Sequence, residues 1–354
     1  MRVATIVGNR PQFVKAAAVS RPLRTHHEEL LIHTGQHHDT ELSAVFFDEL
    51  GVPTPDHWLG VAGASNSSQL ARMLAALDPL LAELAPDAVL VYGDTNSTLA
   101  GALAAAERDL PVVHVEAGMR SFDRTMPEER NRVLVDQLSA LLLCSTQAAI
   151  EHLKAEGVPG RAVLVGDVMV DVAVATSTAS AGNVAALERF GVSSGQYVLA
   201  TAHRAANVDD PNRLLALVEL LEAIPDPILL PLHPRTRERL QQAQLSARAA
   251  QAASLTAPAG YLDFATLLHH ARAVLTDSGG VQKEAYLAAV PCVTLRDTTE
   301  WTETIDAGWN TLVGLDIPAT LAALAKPKPS THPQLYGDGH AADRVVAAIT
   351  TLAP

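Results

Sequence analysis

The chain has 354 residues, 48% hydrophobic and 18% charged, which suits two ordinary domains with full cores and excludes a disordered polymer. A formal net charge of −13 argues against nucleic acid or an anionic membrane surface as a partner, while locally gathered arginines still suit a small anion. Cys144 and Cys292 lack metal-ligand spacing and read as buried thiols of a cytoplasmic protein, MRVATIVGNR carries no signal pattern, and no apolar run nears the ~20 residues needed to span a bilayer.

Val3 to Val7 reads as a first strand, ending at Gly8-Asn9-Arg10-Pro11. Pro11 suits a helix start, and the helix runs from Gln12 to Leu23 with Lys15 in its second turn. Leu30 to His33 is the next strand, followed by Thr34-Gly35-Gln36-His37-His38-Asp39 and a helix through Leu50. Asn66 to Leu84 is a long amphipathic helix. Ala88 to Tyr92 and Val112 to Val115 are continuous apolar runs of the buried parallel kind, leading into Gly93-Asp94-Thr95-Asn96 and Glu116-Ala117-Gly118. The loop Met119 to Met126 precedes Pro127-Glu128-Glu129, an acidic helix start. Strands at Leu141 to Cys144 and Val163 to Val165 complete a first set, which places a domain boundary near Gly166. The second half repeats the style, with strands at Tyr197 to Thr201, Ile228 to Leu230, Ala273 to Thr276 and Cys292 to Leu295. Helices are expected over Pro211 to Ile224, Tyr261 to His270 and Ala341 to Leu352, with Lys326 to Ser330 an extended connector. Strand alternating with helix means two mostly parallel sheets, each wrapped on both faces. Ligands bind such sheets at the carboxyl ends of the strands, so two domains facing each other would enclose one cleft.

The most informative stretch is Ala273 to Tyr286, AVLTDSGGVQKEAY. A strand turns on Ser278-Gly279-Gly280 straight into a helix, whose free N–H groups and dipole favour a phosphate. Glu284 lies one turn further, placed for sugar hydroxyls. An ordinary strand–helix turn is the alternative. His203, Arg204, His233 and Arg296 follow other strands of this half and suit a diphosphate. In the first half Asp94, Glu116 and Glu128 supply carboxylates, accompanied by Arg120 and Arg132, as proton transfer at carbon would need. Each alone reads more simply as a helix cap or a surface ion pair. The pairs His26-His27, His37-His38 and His269-His270 have no zinc-like spacing, so no metal is expected. Dinucleotide, P-loop and nucleophile-elbow signatures are absent.

Taken together, GNRPQFVKAAAV at 8–19, TGQHHD at 34–39, VYGDTNSTLAGALAA at 91–105, HVEAGMRSFDRTMPEERNR at 114–132, TAHRAANVDD at 201–210, PLHPRT at 231–236, LTDSGGVQKEA at 275–285, RDTTEWTETIDAGWNTLVG at 296–314 and YGDGHAADRVV at 336–346 resemble the non-hydrolysing UDP-N-acetylglucosamine 2-epimerase family. The resemblance runs the length of the chain in order. It implies a glycosyltransferase-B-like pair of Rossmann-type domains: residues 1–166 with a returning C-terminal helix at 338–354, and a UDP-binding domain at 167–337. It also implies a cytoplasmic homodimer that interconverts UDP-GlcNAc and UDP-ManNAc for polysaccharide precursors, through loss of UDP to a 2-acetamidoglucal and re-addition, with no cofactor. Arg10, Lys15, Asp94, Glu116, Glu128, Arg132 and His203 match the family's functional residues, and Ser278, Gly279, Gly280 and Glu284 its nucleotide-sugar motif.

Some positions depart from the family. Asn9 stands where Thr or Ala is usual, Ala206 replaces a Glu, and Glu300-Trp301-Thr302-Glu303 replaces Glu-Arg-Pro-Glu. QHHDTEL at 36–42 lacks the second glutamine of allosterically activated members, so the resemblance does not extend to that regulation. FFDELGVP, MRSFDRTMPEE, GGVQKEAY and TEWTE are nearer the branch acting on UDP-2,3-diacetamido-2,3-dideoxyglucuronate, whose extra carboxylate would call for a cation such as Arg120 or Arg124. An inverting glycosyltransferase and a silent UDP-sugar-binding module are the rival classes.

Overall fold

The computed structural model describes residues 1–36, 51–63 and 65–352, apart from the side chains of 177–182. The helix expected to end at Leu50 and most of QHHDTEL lie outside the described residues. The chain divides into two compact units, Met1–Val174 with Gln334–Pro354, and Ala175–Pro333.

The first unit is a parallel sheet of β1 (Arg2–Val7), β2 (Glu28–His33), β3 (His57–Trp58), β4 (Ala88–Tyr92), β5 (Val112–Ala117), β6 (Leu141–Cys144) and β7 (Arg161–Leu164). Their order is β3-β2-β1-β4-β5-β6-β7, so the winding reverses between β1 and β4. The apolar runs become strands because both faces are covered: Ile6, Val89, Val91, Val113 and Leu142 are fully buried. Helix Asn66–Leu84 lays Met73, Leu77 and Leu81 into this core, each worth about 1.5–3 kcal/mol of burial. Helix Asn96–Ala106 comes closer still. A Cβ on Gly101 would lie 2.8 Å from Ile6 Cδ1, a gap only glycine leaves.

The division into units falls at Val174, past the expected Gly166, because helix Val168–Gly182 begins on the first unit. Val168, Met169 and Val172 are buried there, and Asp171 accepts the N–H groups of Ala341 (3.1 Å) and Ala342 (2.9 Å). Those bonds cap helix Ala341–Thr350, which buries Val345, Val346 and Ile349 in the first unit.

The second unit is a parallel sheet in the order β10-β9-β8-β11-β12-β13. Its strands are β8 (Val198–Thr201), β9 (Ile228–Pro231), β10 (Ser254–Thr256), β11 (Ala273–Thr276), β12 (Cys292–Thr294) and β13 (Asn310–Leu312), and its reversal lies between β8 and β11. The sequence patterns pass over β3, β10 and β13, edge strands of two or three residues whose pairing is set by the neighbouring strand alone. Cys144 and Cys292 lie within β6 and β12, and burial pushes both thiols up to about 12, so they stay protonated and inert. Among the described residues no helix is long and apolar enough to cross a membrane, and no group of three or more His, Cys, Asp or Glu is placed to hold a metal.

Candidate active site

In the first unit the chemistry gathers where β1, β4 and β5 end. Asn9 caps helix Arg10–His26 by accepting from Gln12 N–H at 3.3 Å. Gln12 then bridges two strand ends: its amide donates to Tyr92 O (2.9 Å) and Thr98 Oγ1 (3.0 Å), while its oxygen accepts from Gly8 N–H (2.8 Å). With the helix start held, half-buried Arg10 opens it and Lys15 projects from its second turn to pair with Glu116. Both side chains of that pair are only 10% exposed. Gly93 makes the room, since a Cβ there would crowd Lys15 Nζ at 3.3 Å and Glu116 Oε2 at 3.4 Å, and its φ is +63°.

Glu116 itself is placed by an irregularity. Along β5, Val115 pairs with Leu143 and Ala117 with Cys144, so Glu116 is the extra residue of a β-bulge, with φ at 71°. A bulge re-aims a side chain, and a non-glycine residue at positive φ costs about 1–3 kcal/mol that its surroundings must offset. Asp94, at the end of β4, pairs with Arg132 from helix Pro127–Leu138. Arg132 also holds Glu129 at 2.9 Å. Glu129, not Glu128, is the buried member of the acidic pair; it accepts from Ser121 N–H and Oγ (2.9 Å each) and Phe122 N–H (3.0 Å), folding the preceding loop onto the helix. Glu128 is half-buried, and its carboxylate accepts no hydrogen bond among the described residues. It lies one turn before Arg132 on the same helix, where i and i+4 side chains meet.

Arg120, a candidate for an additional substrate carboxylate, is committed elsewhere. Its side chain is fully buried, bonded to Asp136 at 2.8 Å and to both oxygens of Glu156 at 2.8 and 2.7 Å. Burial opposes that charge, but Glu156 and Asp136 outweigh it and hold the guanidinium above its usual range. Arg124 is exposed.

In the second unit the residues gather where β8, β11 and β12 end. Asp277, absent from the sequence-derived candidates, is fully buried and ties them together. It accepts from the backbone N–H of His203 (3.1 Å) and Arg204 (3.0 Å) and from Asn207 Nδ2 (3.2 Å), while Asn207 also donates to Leu295 O at 3.0 Å. The His203 ring stands 3.6 Å from Asp277 Oδ1, beyond hydrogen-bond range, and stacks on His233 at 5.3 Å. His233 in turn caps helix Pro234–Gln242 through Nδ1. Ser278 precedes helix Gly279–Leu287 without capping it by its side chain. The loop after β12 folds over that helix start: Thr299 Oγ1 donates to Gln282 at 2.6 Å, and Arg296 pairs with Glu300 at 2.9 Å. A Cβ on Gly279 would lie 2.3 Å from Glu300 Oε1, so Gly279, Arg296 and Glu300 meet at the helix N-terminus. Exposed Gly280 and half-buried Ser278 flank it, and half-buried Glu284 follows one turn on. Fixed N–H dipoles beside a buried arginine are what an anion requires.

A family profile described as UDP-N-acetylglucosamine 2-epimerase matches residues 22–350. The chain belongs to the UDP-N-acetylglucosamine 2-epimerase family. It is 44% identical to a UDP-N-acetylglucosamine 2-epimerase homolog of Methanococcus maripaludis, over 99% of this chain and 100% of the other. It is 43% identical to the UDP-2,3-diacetamido-2,3-dideoxy-D-glucuronate 2-epimerase of Pseudomonas aeruginosa, over the same shares. The crystal structure of Methanocaldococcus jannaschii UDP-GlcNAc 2-epimerase in complex with UDP-GlcNAc and UDP matches it with a TM-score of 0.93 at 37% identity, covering 99% of this chain and 100% of that one. This epimerase is therefore an isomerase with two Rossmann-like units of the glycosyltransferase-B-like class.

Within the epimerase the first unit brings Lys15, Asp94, Glu116 and Arg132 to one sheet edge, and the second brings His203, Ser278, Gly279 and Arg296 to another. Gln12, Glu129, Asp277 and Asn207 were missed by sequence reasoning. Only Asp277, adjoining Ser278-Gly279-Gly280 at a strand end, carried a usable signal.

Proposed function

We propose that this epimerase inverts carbon 2 of the sugar in UDP-N-acetylglucosamine by elimination and re-addition. A carboxylate of the first unit takes the proton from carbon 2. The carbon 1–oxygen bond breaks, and its electron pair leaves with UDP, giving a 2-acetamidoglucal. A proton then returns to carbon 2 on the opposite face, and a UDP oxygen re-forms the bond to carbon 1. The observation that carries this reading is Glu116, re-aimed by a strained bulge toward Lys15 beside the Asp94 turn. Binding a nucleotide sugar needs no such carboxylates, whereas proton transfer at carbon does. Departing UDP is assigned to the second unit, on the Gly279 helix start with Arg296 and His203, and Glu284 to its ribose. Arg10, Lys15 and Arg132 supply positive charge about the sugar.

The 43% identity to the diacetamido-glucuronate epimerase supports a second substrate reading. Against it stands the commitment of Arg120 to Asp136 and Glu156, since an additional buried substrate carboxylate would need a cation of its own. Both sugars are distinguished by incubation in deuterated water. UDP-GlcNAc is expected to gain deuterium at carbon 2 as UDP-ManNAc forms, with the uronate turned over more slowly. Ligand held without exchange for either sugar would refute an epimerase, and faster turnover of the uronate would exchange the two substrate readings. The reading also includes a homodimer in the cytoplasm. Sedimentation at working concentration is expected to give twice the chain mass, and a monomer with full activity would remove the dimer from it.

A further inference from the structure

Nothing in the proton chemistry above uses His114, yet it is fully buried on β5 two residues before Glu116. Its Nε2 lies 2.7 Å from Gly93 O and its Nδ1 2.7 Å from Asp136 Oδ1. A carbonyl oxygen can only accept, so Nε2 donates to Gly93 O, while Nδ1 stands within hydrogen-bond distance of the Asp136 carboxyl. Asp136 is also fully buried, and its second oxygen accepts Gly118 N–H at 3.2 Å and Arg120 Nη1 at 2.8 Å. Burial opposes its charge, but His114 and then Arg120 outweigh that and hold the carboxyl below its usual range.

The ends of this chain of bonds are informative. Gly93 directly precedes Asp94, and its own N–H donates to Val115 O at 3.0 Å, so β5 grips it from both sides. Gly118 lies two residues past Glu116 and is itself at φ 78°, with Ala149 O only 2.4 Å from where a Cβ would stand. The span from Gly93 through His114 and Asp136 to Gly118 therefore encloses the bulge and joins it to the Asp94 turn. A bulge with a glutamate at positive φ persists only where neighbouring groups over-determine it. These are such groups.

We propose that His114 is a positioning residue, which with Asp136 fixes the Asp94 turn and the Glu116 bulge relative to each other. It touches neither proton nor sugar; its effect passes through Gly93 and Gly118. The proposal rests on the carboxylates acting at carbon 2.

The two halves of the link are separable by substitution. His114→Gln retains an N–H near the Nε2 position for Gly93 O, and His114→Asn retains one near Nδ1 for Asp136. Each is expected to lower kcat about 10²-fold, as misplacement of catalytic groups by about 1 Å does, with KM for UDP-GlcNAc and affinity for UDP within about twofold. Deuterium entry at carbon 2 should slow by the same factor. Should either variant fail to fold, Asp136→Asn, which retains one acceptor, replaces it with the same expectation, and kcat is expressed per UDP-binding site so that only folded molecules count. Variants that melt lower but keep wild-type kcat per site would overturn the proposal, as would a raised KM at unchanged kcat. Wild-type protein that never exchanges the carbon 2 hydrogen would sink the function reading and this proposal together; wild-type exchange with undiminished variants would sink the proposal alone.

Discussion

Glu128→Gln is expected to lower kcat by about 10²-fold or more, the usual yield of a lost proton-transfer group, while stability stays within about 0.5 kcal/mol. The second half follows from geometry: Glu128 is half-buried and its carboxylate accepts no hydrogen bond among the described residues. Asp94→Asn should give a similar loss of turnover with about 1 kcal/mol or less of stability, because Asp94 is 31% exposed and Arg132 keeps Glu129. Glu116→Gln should combine lost turnover with the largest destabilisation, about 3 kcal/mol, since it breaks the largely buried ion pair with Lys15. Turnover and urea unfolding measured on all three check both rankings. Near-wild-type turnover throughout would remove the carboxylates from the mechanism.

Asp277→Ala should damage the second unit more than any change at its surface. Two backbone N–H groups lose their buried acceptor and the Asn207 amide loses one of its two, a loss of about 2–6 kcal/mol when each stranded backbone donor costs about 1–3 kcal/mol. His203 and Arg204 would lose the bonds that fix the turn after β8, so UDP affinity should fall along with stability. Asp277→Asn retains an acceptor and should recover part of both. Calorimetric titration of UDP beside thermal unfolding reads the two effects, and an alanine variant with wild-type melting and UDP binding would disprove the role of Asp277.

The strand ends carrying Asp94, His203 and Ser278 were legible because continuous apolar runs give way abruptly to polar turns, a signal that lies within five or six residues. Helix Asn66–Leu84 was legible for a similar reason, its apolar residues recurring at helical spacing from Leu70 to Leu84. The choice between Glu128 and Glu129 was not. Adjacent residues on a helix point about a quarter-turn apart, and which one is buried depends on Ser121 and Phe122 folding back over it. Arg120 looked available because its partners lie 16 and 36 residues away, and a charge's freedom depends on what packs beside it.

Sequence by itself determined the class of this protein: alternating strands and helices, two sheets, carboxylates in one half and a Ser-Gly-Gly turn at a helix start in the other, in strings resembling one family. Those features are local, written in periodicity and in residues that only certain turns tolerate. Tertiary structure alone decided that Glu116 stands out of register on a bulge, that His114 and Asp136 enclose it, and that Asp277 knots the second site together. Each of these arises from pairing between segments distant in sequence. The register of β5 against β6 and the burial of charges that neutralise one another are properties of contacts, and no single stretch of chain contains them.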